Sequence, residues 1–331
     1  MTSALPGTPL SFTTAGDSPL ELAIHPRSHR YQYSLQIFPE ITPVSGRKHL
    51  GLIGARDHPA PDGDGRLRFF IAESTDLVNW TNIRIALESS GTRGAYDAVN
   101  IADPCAIAID DRKYIWFAGI NEAGDWQIGC ATSDDDFQTS RVTQQPVIPL
   151  DFSRTGKDAT VHTDDFNGIY DDGRIMFVYT GGPRNVHGFA GVCDGDPMSP
   201  GNYEFLGEIQ FDVYPVPDWR AGNMSVYRGK EGYYMLRATG VAGYQDVYLY
   251  VSDDFINWRF EYTLARASES GGWNANLYKP SLVRVGDSWY FGYSATANPI
   301  WGRSGQTGDI THSLTKTSNE LFKCGLATVD R

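Results

Sequence analysis

Four polar residues stand at nearly equivalent places in successive segments of this chain. They are Asp103, Asp165, Asn223 and Lys279, and each falls just ahead of or within a short apolar run. Two carboxylates, an amide and an ammonium gathered around one mouth would line a polar cavity suited to a hydroxyl-rich ligand. The fifth equivalent is expected near Phe38, with Glu40 two residues later. Trp273, Tyr278, Trp219 and Tyr31 lie in the same segments and offer flat faces against which the C–H patches of a sugar ring can stack. Arg30, Gln32, Asp164, Arg220 and Asn274 complete the set of candidate substrate contacts. His162, three residues before Asp165, could orient that carboxylate or bind substrate. No cofactor is expected. His25 and His29 have i,i+4 spacing but sit in an irregular, Pro-containing stretch, so they do not read as a zinc pair. The one place for a structural cation is the channel near His162 and Asp165. Phosphate loop, dinucleotide fingerprint and G-x-S-x-G elbow are all missing from the sequence.

What positions these residues is an internal repeat. Five segments place a serine- or aspartate-centred turn after an apolar strand, aligned on Ser74, Ser133, Asp194, Ser252 and Ser313, at intervals of 59, 61, 58 and 61 residues. Ahead of each turn runs an apolar strand, beginning at Leu50, Tyr114, Ile175, Tyr233 and Trp289. Shorter strands lie further upstream, such as CAIAI and MSVYR. Each unit reads as four strands joined by hairpins and loops. A four-stranded antiparallel sheet cannot bury both its faces alone, whereas five arranged radially bury them against one another. The expectation is an all-β, five-bladed β-propeller with four antiparallel strands per blade. One domain spans 1–331, with blades near 28–92, 93–152, 153–215, 216–268 and 269–331. The remaining N-terminal stretch, for instance through Leu20 to Ile24, would supply the outer strand that closes the ring. The acidic turns Asp134-Asp135-Asp136 and Asp253-Asp254 recur with the repeat and read as structural, and Trp80 and Trp258 read as packing residues.

Bulk properties agree. Of 331 residues, 35 are Gly and 13% are aromatic, as many short strands and glycine turns require. A net charge of −12 argues against nucleic-acid or anionic-membrane partners, which call for a basic face. No apolar run reaches the length of a membrane span. The expected partner is a small molecule or oligosaccharide, and the expected state a monomer or small homo-oligomer. The N-terminus lacks a charged and apolar leader pattern, so the expected location is the cytoplasm, or outside the cell if a signal has been removed. Cys105, Cys130, Cys193 and Cys324 form no C-x-x-C pair. Three of them sit in strand-like runs and read as buried free thiols.

The repeat, the turns STDLVNW (Ser74 to Trp80) and SDDFINW (Ser252 to Trp258), and the Ala102-Asp103-Pro104 entry together resemble the five-bladed propeller glycosidases. That broad group holds glycoside hydrolase families 43, 32, 68, 62 and 117. The likeness covers nearly the whole chain as architecture. It implies hydrolysis of a glycosidic bond by two carboxyl groups at the funnel, one protonated for the leaving oxygen and one ionised to activate water or attack the sugar. By this resemblance Asp103 matches the inner-strand Asp-Pro of family 43 and is the base or nucleophile, with Asp165 its partner or tuning residue. Family 43 places a glutamate acid at a later entry, where this chain has Asn223 and Lys279. Glu40 and Glu269 are the candidates for that role. The family 32 signatures, an Asn-Asp-Pro-Asn start and a Glu-Cys pair, are missing. Two further readings stay open: isomerisation, elimination or cyclisation of a metabolite on the same scaffold, and a carbohydrate-binding propeller without catalysis.

Overall fold

A computed structural model describes residues 11–14, 32–38, 48–56, 66–157, 162–182, 187–214, 223–229, 232–239, 246–266, 276–285, 288–296 and 323–330. Strand dominates, and among the described residues there is no α-helix, only a 3-10 turn at Pro200–Asn202. The strands form five sheets. Blade 1 is β2 (Gln32–Ile37), β3 (His49–Arg56), β4 (Leu67–Ser74) and β5 (Trp80–Glu88). Blade 2 is β6 (Asn100–Ile109), β7 (Arg112–Ile120), β8 (Trp126–Ser133) and β9 (Arg141–Val142). Blade 3 is β10 (Thr163–Asp171), β11 (Arg174–Gly181), β12 (His187–Cys193) and β13 (Tyr203–Glu208). Blade 4 is β15 (Met224–Arg228), β16 (Tyr233–Thr239), β17 (Asp246–Ser252) and β18 (Asn257–Ala265). Blade 5 is β19 (Asn276–Val285), β20 (Ser288–Thr296) and β21 (Lys323–Asp330), completed by β1 (Ser11–Thr14).

The first strand of each blade touches the first strand of the next: β2 meets β6, then β10, β15 and β19 follow, and β19 returns to β2. That closed cycle makes the architecture a β-propeller with its innermost strands around a common axis. Side chains lace the ring. Gln36 donates its amide to the Pro104 carbonyl and accepts from the Ala106 N–H, both at 2.7 Å. Asn167 accepts from the Val226 N–H at 3.1 Å, the Tyr227 hydroxyl accepts from the Leu282 N–H, and Ser281 donates to the Leu35 carbonyl at 2.7 Å.

One feature departs from the expectation of four antiparallel strands per blade. The short strand β14 (Gln210–Phe211) leaves blade 3 and pairs in parallel with β18, giving blade 4 a fifth strand. Ring closure comes from Ser11–Thr14, paired antiparallel with Asp330 to Ala327. The Leu20 to Ile24 stretch lies outside the described residues. The tetrapeptide SFTT, rich in β-formers, is long enough to satisfy the open edge of β21, which would otherwise present unpaired backbone groups.

The core is divided among the interfaces between blades. One buried cluster joins Trp116 and Cys105 of blade 2 to Phe166, Phe177 and Phe189 of blade 3. Others join blades 3 and 4 through Val178, Met235 and Tyr250, and blades 4 and 5 through Leu249, Leu282 and Phe291. Trp116 stacks on Phe166 at 5.1 Å with the rings 7° from parallel. Because both faces of a blade meet a neighbour, its middle strands are apolar without alternation: Tyr114 to Ala118 are all buried.

The repeat turns are built from their own side chains. In blade 4 the Ser252 hydroxyl accepts the Phe255 N–H, and Asp254 accepts the N–H groups of Ile256 and Asn257 at 2.9 and 2.7 Å. The left-handed Phe255 (φ 67°) then offers its carbonyl to the Trp258 indole. Ser74, Asp76, Leu77 and Trp80 repeat the arrangement in blade 1. These aspartates are occupied in structure, and both indoles are buried. Cys105, Cys130 and Cys193 are buried free thiols; the side chain of Cys324 is outside the described residues. Among the described residues no helix is long and apolar enough to cross a membrane.

Candidate active site

Each inner strand is broken, or in blade 4 immediately preceded, by a residue in the left-handed region. These are Ser34 (φ 56°), Asp103 (49°), Asp165 (52°), Asn223 (60°) and Lys279 (46°). Four of the five coincide with a register shift against the neighbouring strand, between Tyr33 and Gln36, Ala102 and Cys105, Asp164 and Asn167, and Tyr278 and Ser281. Such a bulge turns one side chain out of the sheet's alternation and aims it elsewhere. Asp and Asn tolerate the left-handed conformation better than most residues, whereas for lysine it is costly and survives only where the surroundings enforce it. The blade 1 equivalent is therefore Ser34, not a residue near Phe38. Phe38 is buried beyond the end of its strand, its N–H bonded to the Leu50 carbonyl. Counting back from the next apolar strand misplaced the position, because eleven residues separate β2 from β3 where two separate β6 from β7 and β10 from β11.

Three of these side chains meet. The Lys279 ammonium lies 2.8 Å from Asp103 Oδ1 and also pairs with Asp165 Oδ1. Blade 5 borders blades 4 and 1 only, so a blade 5 lysine can reach blades 2 and 3 only across the axis. The contact thus locates all three groups in the axial hollow. Lys279 and Asp165 are buried, and Asp103 is slightly more open. Asp165 Oδ2 accepts the Asn223 N–H at 3.1 Å. Asp164, buried beside it, accepts the Asp165 N–H at 2.6 Å. Tyr33, not anticipated from sequence, presents its hydroxyl to the Asp103 N–H at 3.0 Å, and Ser294 does the same for the Ser34 N–H at 2.7 Å.

The structure thus brings together Asp103, Asp164, Asp165, Lys279 and the Asn223 backbone. His162 lies with its ring edge-on to Trp126 at 5.1 Å, and its carbonyl accepts the Gly182 N–H. Gln32 begins β2; its side chain is outside the described residues, as are Arg30, Tyr31, Glu40, Trp219, Arg220, Glu269, Trp273 and Asn274. Among the described residues, the carboxylates close enough to share a cation are Asp103, Asp164 and Asp165, whose oxygens lie within 4.8 Å of one another. His162 does not belong to that set. The lysine ammonium already sits against two of the three, so the donor set fits an internal ammonium rather than a metal ion. A second charged group lies on blade 3, where Glu208 bonds His187 at 3.0 Å and pairs with Lys157. Burial works to raise the Glu208 carboxyl, but these two partners together hold it below its usual range.

No family model and no curated protein matches the chain. Solved structures do. A family 117 glycoside hydrolase, Zg3597 from Zobellia galactanivorans, superposes with a TM-score of 0.64 at 13% identity over 97% of this chain and 90% of its own. CoXyl43, a family 43 β-xylosidase/α-arabinofuranosidase from a compost metagenome solved with xylotriose, gives 0.60 at 13% identity over 96% and 95%. A family 43 enzyme from Xanthomonas citri, also complexed with xylotriose, gives 0.60 at 13% over 94% and 89%. The fold is the propeller shared with glycoside hydrolases of families 43 and 117.

Proposed function

We propose that this protein is a glycoside hydrolase acting on a furanoside or oligosaccharide at the axial hollow. The observation that carries the reading is the convergence of Asp103 and Asp165 on one buried ammonium at the bulges of the inner strands. The fold supports it, since the similar structures are glycoside hydrolases and two of them hold xylotriose. Arabinofuranosides, xylosides and fructosides are the substrate classes in view.

In this reading Asp103 is the base or nucleophile and Asp165 its tuning partner. A glycosidase holds its two reacting carboxyl groups on either side of the sugar, about 5–5.5 Å apart for retention and about 6.5–9.5 Å for inversion. Lys279 fills the space between Asp103 and Asp165, so no sugar can enter there. The proton for the leaving oxygen must then come from a third group, and Glu40 and Glu269 are the candidates. No cofactor takes part.

A panel of nitrophenyl furanosides and pyranosides, with xylotriose and other plant or algal oligosaccharides, tests the reading. Turnover is expected on at least one member, and Asp103→Asn should lower it by about 10²–10⁴-fold while leaving the melting temperature nearly unchanged. Turnover on none would sink hydrolysis. The pairing of both carboxylates with Lys279 favours a second reading in that event: a non-hydrolytic isomerisation, elimination or cyclisation in which no strong acid is needed. Sugar binding that survives removal of every funnel carboxylate would point instead to a propeller without catalysis.

A further inference from the structure

Asp103 and Asp165 look alike in sequence but not in their surroundings. Asp165 has both oxygens engaged, Oδ1 by Lys279 and Oδ2 by the Asn223 N–H, and its own N–H is tied to Asp164. Asp103 has only Oδ1 engaged, by Lys279, and its Oδ2 has no partner among the described residues. Its backbone is fixed by the Tyr33 hydroxyl. Three acidic side chains within 4.8 Å would repel one another strongly in a buried site unless a cation stood among them. The chain supplies that cation itself, on a residue whose left-handed backbone a lysine would not choose unaided.

We infer that Lys279 is the positioning residue of this site: its ammonium crosses the axis to lock Asp165 as a closed anchor and to orient Asp103, so that Asp103 Oδ2, which has no partner among the described residues, is left to react. This deepens the hydrolase reading and rests on it for the word "react". The electrostatic arrangement stands apart from it.

The arrangement makes a signed prediction. Without the ammonium, the crowded carboxylates take up a proton more readily when folded than when unfolded. A group whose folded pKa is raised stabilises below its unfolded pKa, and that contribution is lost as pH rises through the folded value. Lys279→Met should therefore lower the melting temperature by about 6–10 °C at pH 7.5, the effect of stranding a buried charge. Most of that loss should disappear near pH 4.5. Asp165→Asn/Lys279→Met, which removes one charge of each sign, should regain most of the stability at pH 7.5. If Lys279→Met does not fold at neutral pH, recovery of folded protein in the double variant supports the inference equally.

Two melting outcomes would overturn it. One is parallel melting-versus-pH curves for wild type and Lys279→Met. The other is a double variant as unstable as the single, which would mean that the lysine stem packs and its charge is idle. Given a substrate from the panel, Lys279→Met should also move the acidic limb of the kcat/KM profile upward by a pH unit or more, and an unmoved limb would refute the positioning of Asp103. If no glycoside is turned over, the melting arms still decide whether the ammonium holds the carboxylates, so failure of the hydrolase reading and failure of this inference are told apart.

Discussion

At the scale of the residue, the site depends on groups that hold the backbone as much as on the carboxylates. The Asp103 N–H faces a buried tyrosine hydroxyl. Tyr33→Phe removes only that oxygen and leaves a partly buried donor without its acceptor, which costs about 1–3 kcal/mol. The expected outcome is a lower chemical-denaturation midpoint with an unchanged slope, together with reduced turnover, because the bulge that aims Asp103 loosens. The sequence allowed Asp103, Asp165, Asn223 and Lys279 to be aligned, since all precede similar apolar strands. It did not reveal Ser34 or Tyr33. The connection from β2 to β3 is longer than its counterparts in blades 2 and 3, so counting back from the apolar strand stops short of Ser34, and the bulge itself, set by pairing with the adjacent strand, leaves no local mark. Nor does composition show that one lysine spans from the fifth blade to the second and third.

At the scale of the element, the recurring acidic turns were readable because their bonds are local: a serine, an aspartate two residues on, and the N–H groups just beyond. They also make stability depend on acid. Bonds from the Thr139 N–H and hydroxyl hold Asp135 down at about 2. Burial opposes the same shift at Asp254, but donors from Asn257, Ile256 and Ser252 outweigh it and bring that group to about 2. Asp76 is lowered too, chiefly by the Asn79 N–H. A carboxylate with a depressed folded pKa contributes fully above its unfolded value and loses that contribution as pH falls through the folded one. The melting temperature should therefore drop between about pH 4 and pH 2. Asp254→Asn should be less stable than wild type at pH 7, and the difference should vanish near pH 2. A constant difference across that range would show that the charge of Asp254 is not what its donors hold.

At the scale of the whole molecule, the propeller was legible because its period is long, regular and carried by turns, while the strap β14 and the exact closing strand were not. Two residues pairing in parallel with another blade are too short to leave a pattern. Burial across the blade interfaces protects the thiols: it pushes Cys105 and Cys193 up to about 12, and Cys130 well above its usual value. Ellman's reagent at pH 8 should leave these three unlabelled in the native protein and label them in denaturant, as peptide mapping would show; rapid native labelling would contradict the packing. Deleting residues 1–15 strips β21 of its outer partner. It should lower the melting temperature and promote association through the bared edge, and an unaltered, monodisperse protein would show that closure by β1 is dispensable.

The pairing of β1 with β21 also has a temporal side. Ser11–Thr14 leaves the ribosome ahead of the other described strands, yet its partner, Lys323–Asp330, is made after all of them. Throughout synthesis the nascent chain is at best an open horseshoe, its opening segment waiting for a companion not yet translated. A circular permutant that makes the two strands neighbours in the chain removes that delay, and it should reach the native state with a shorter closing phase.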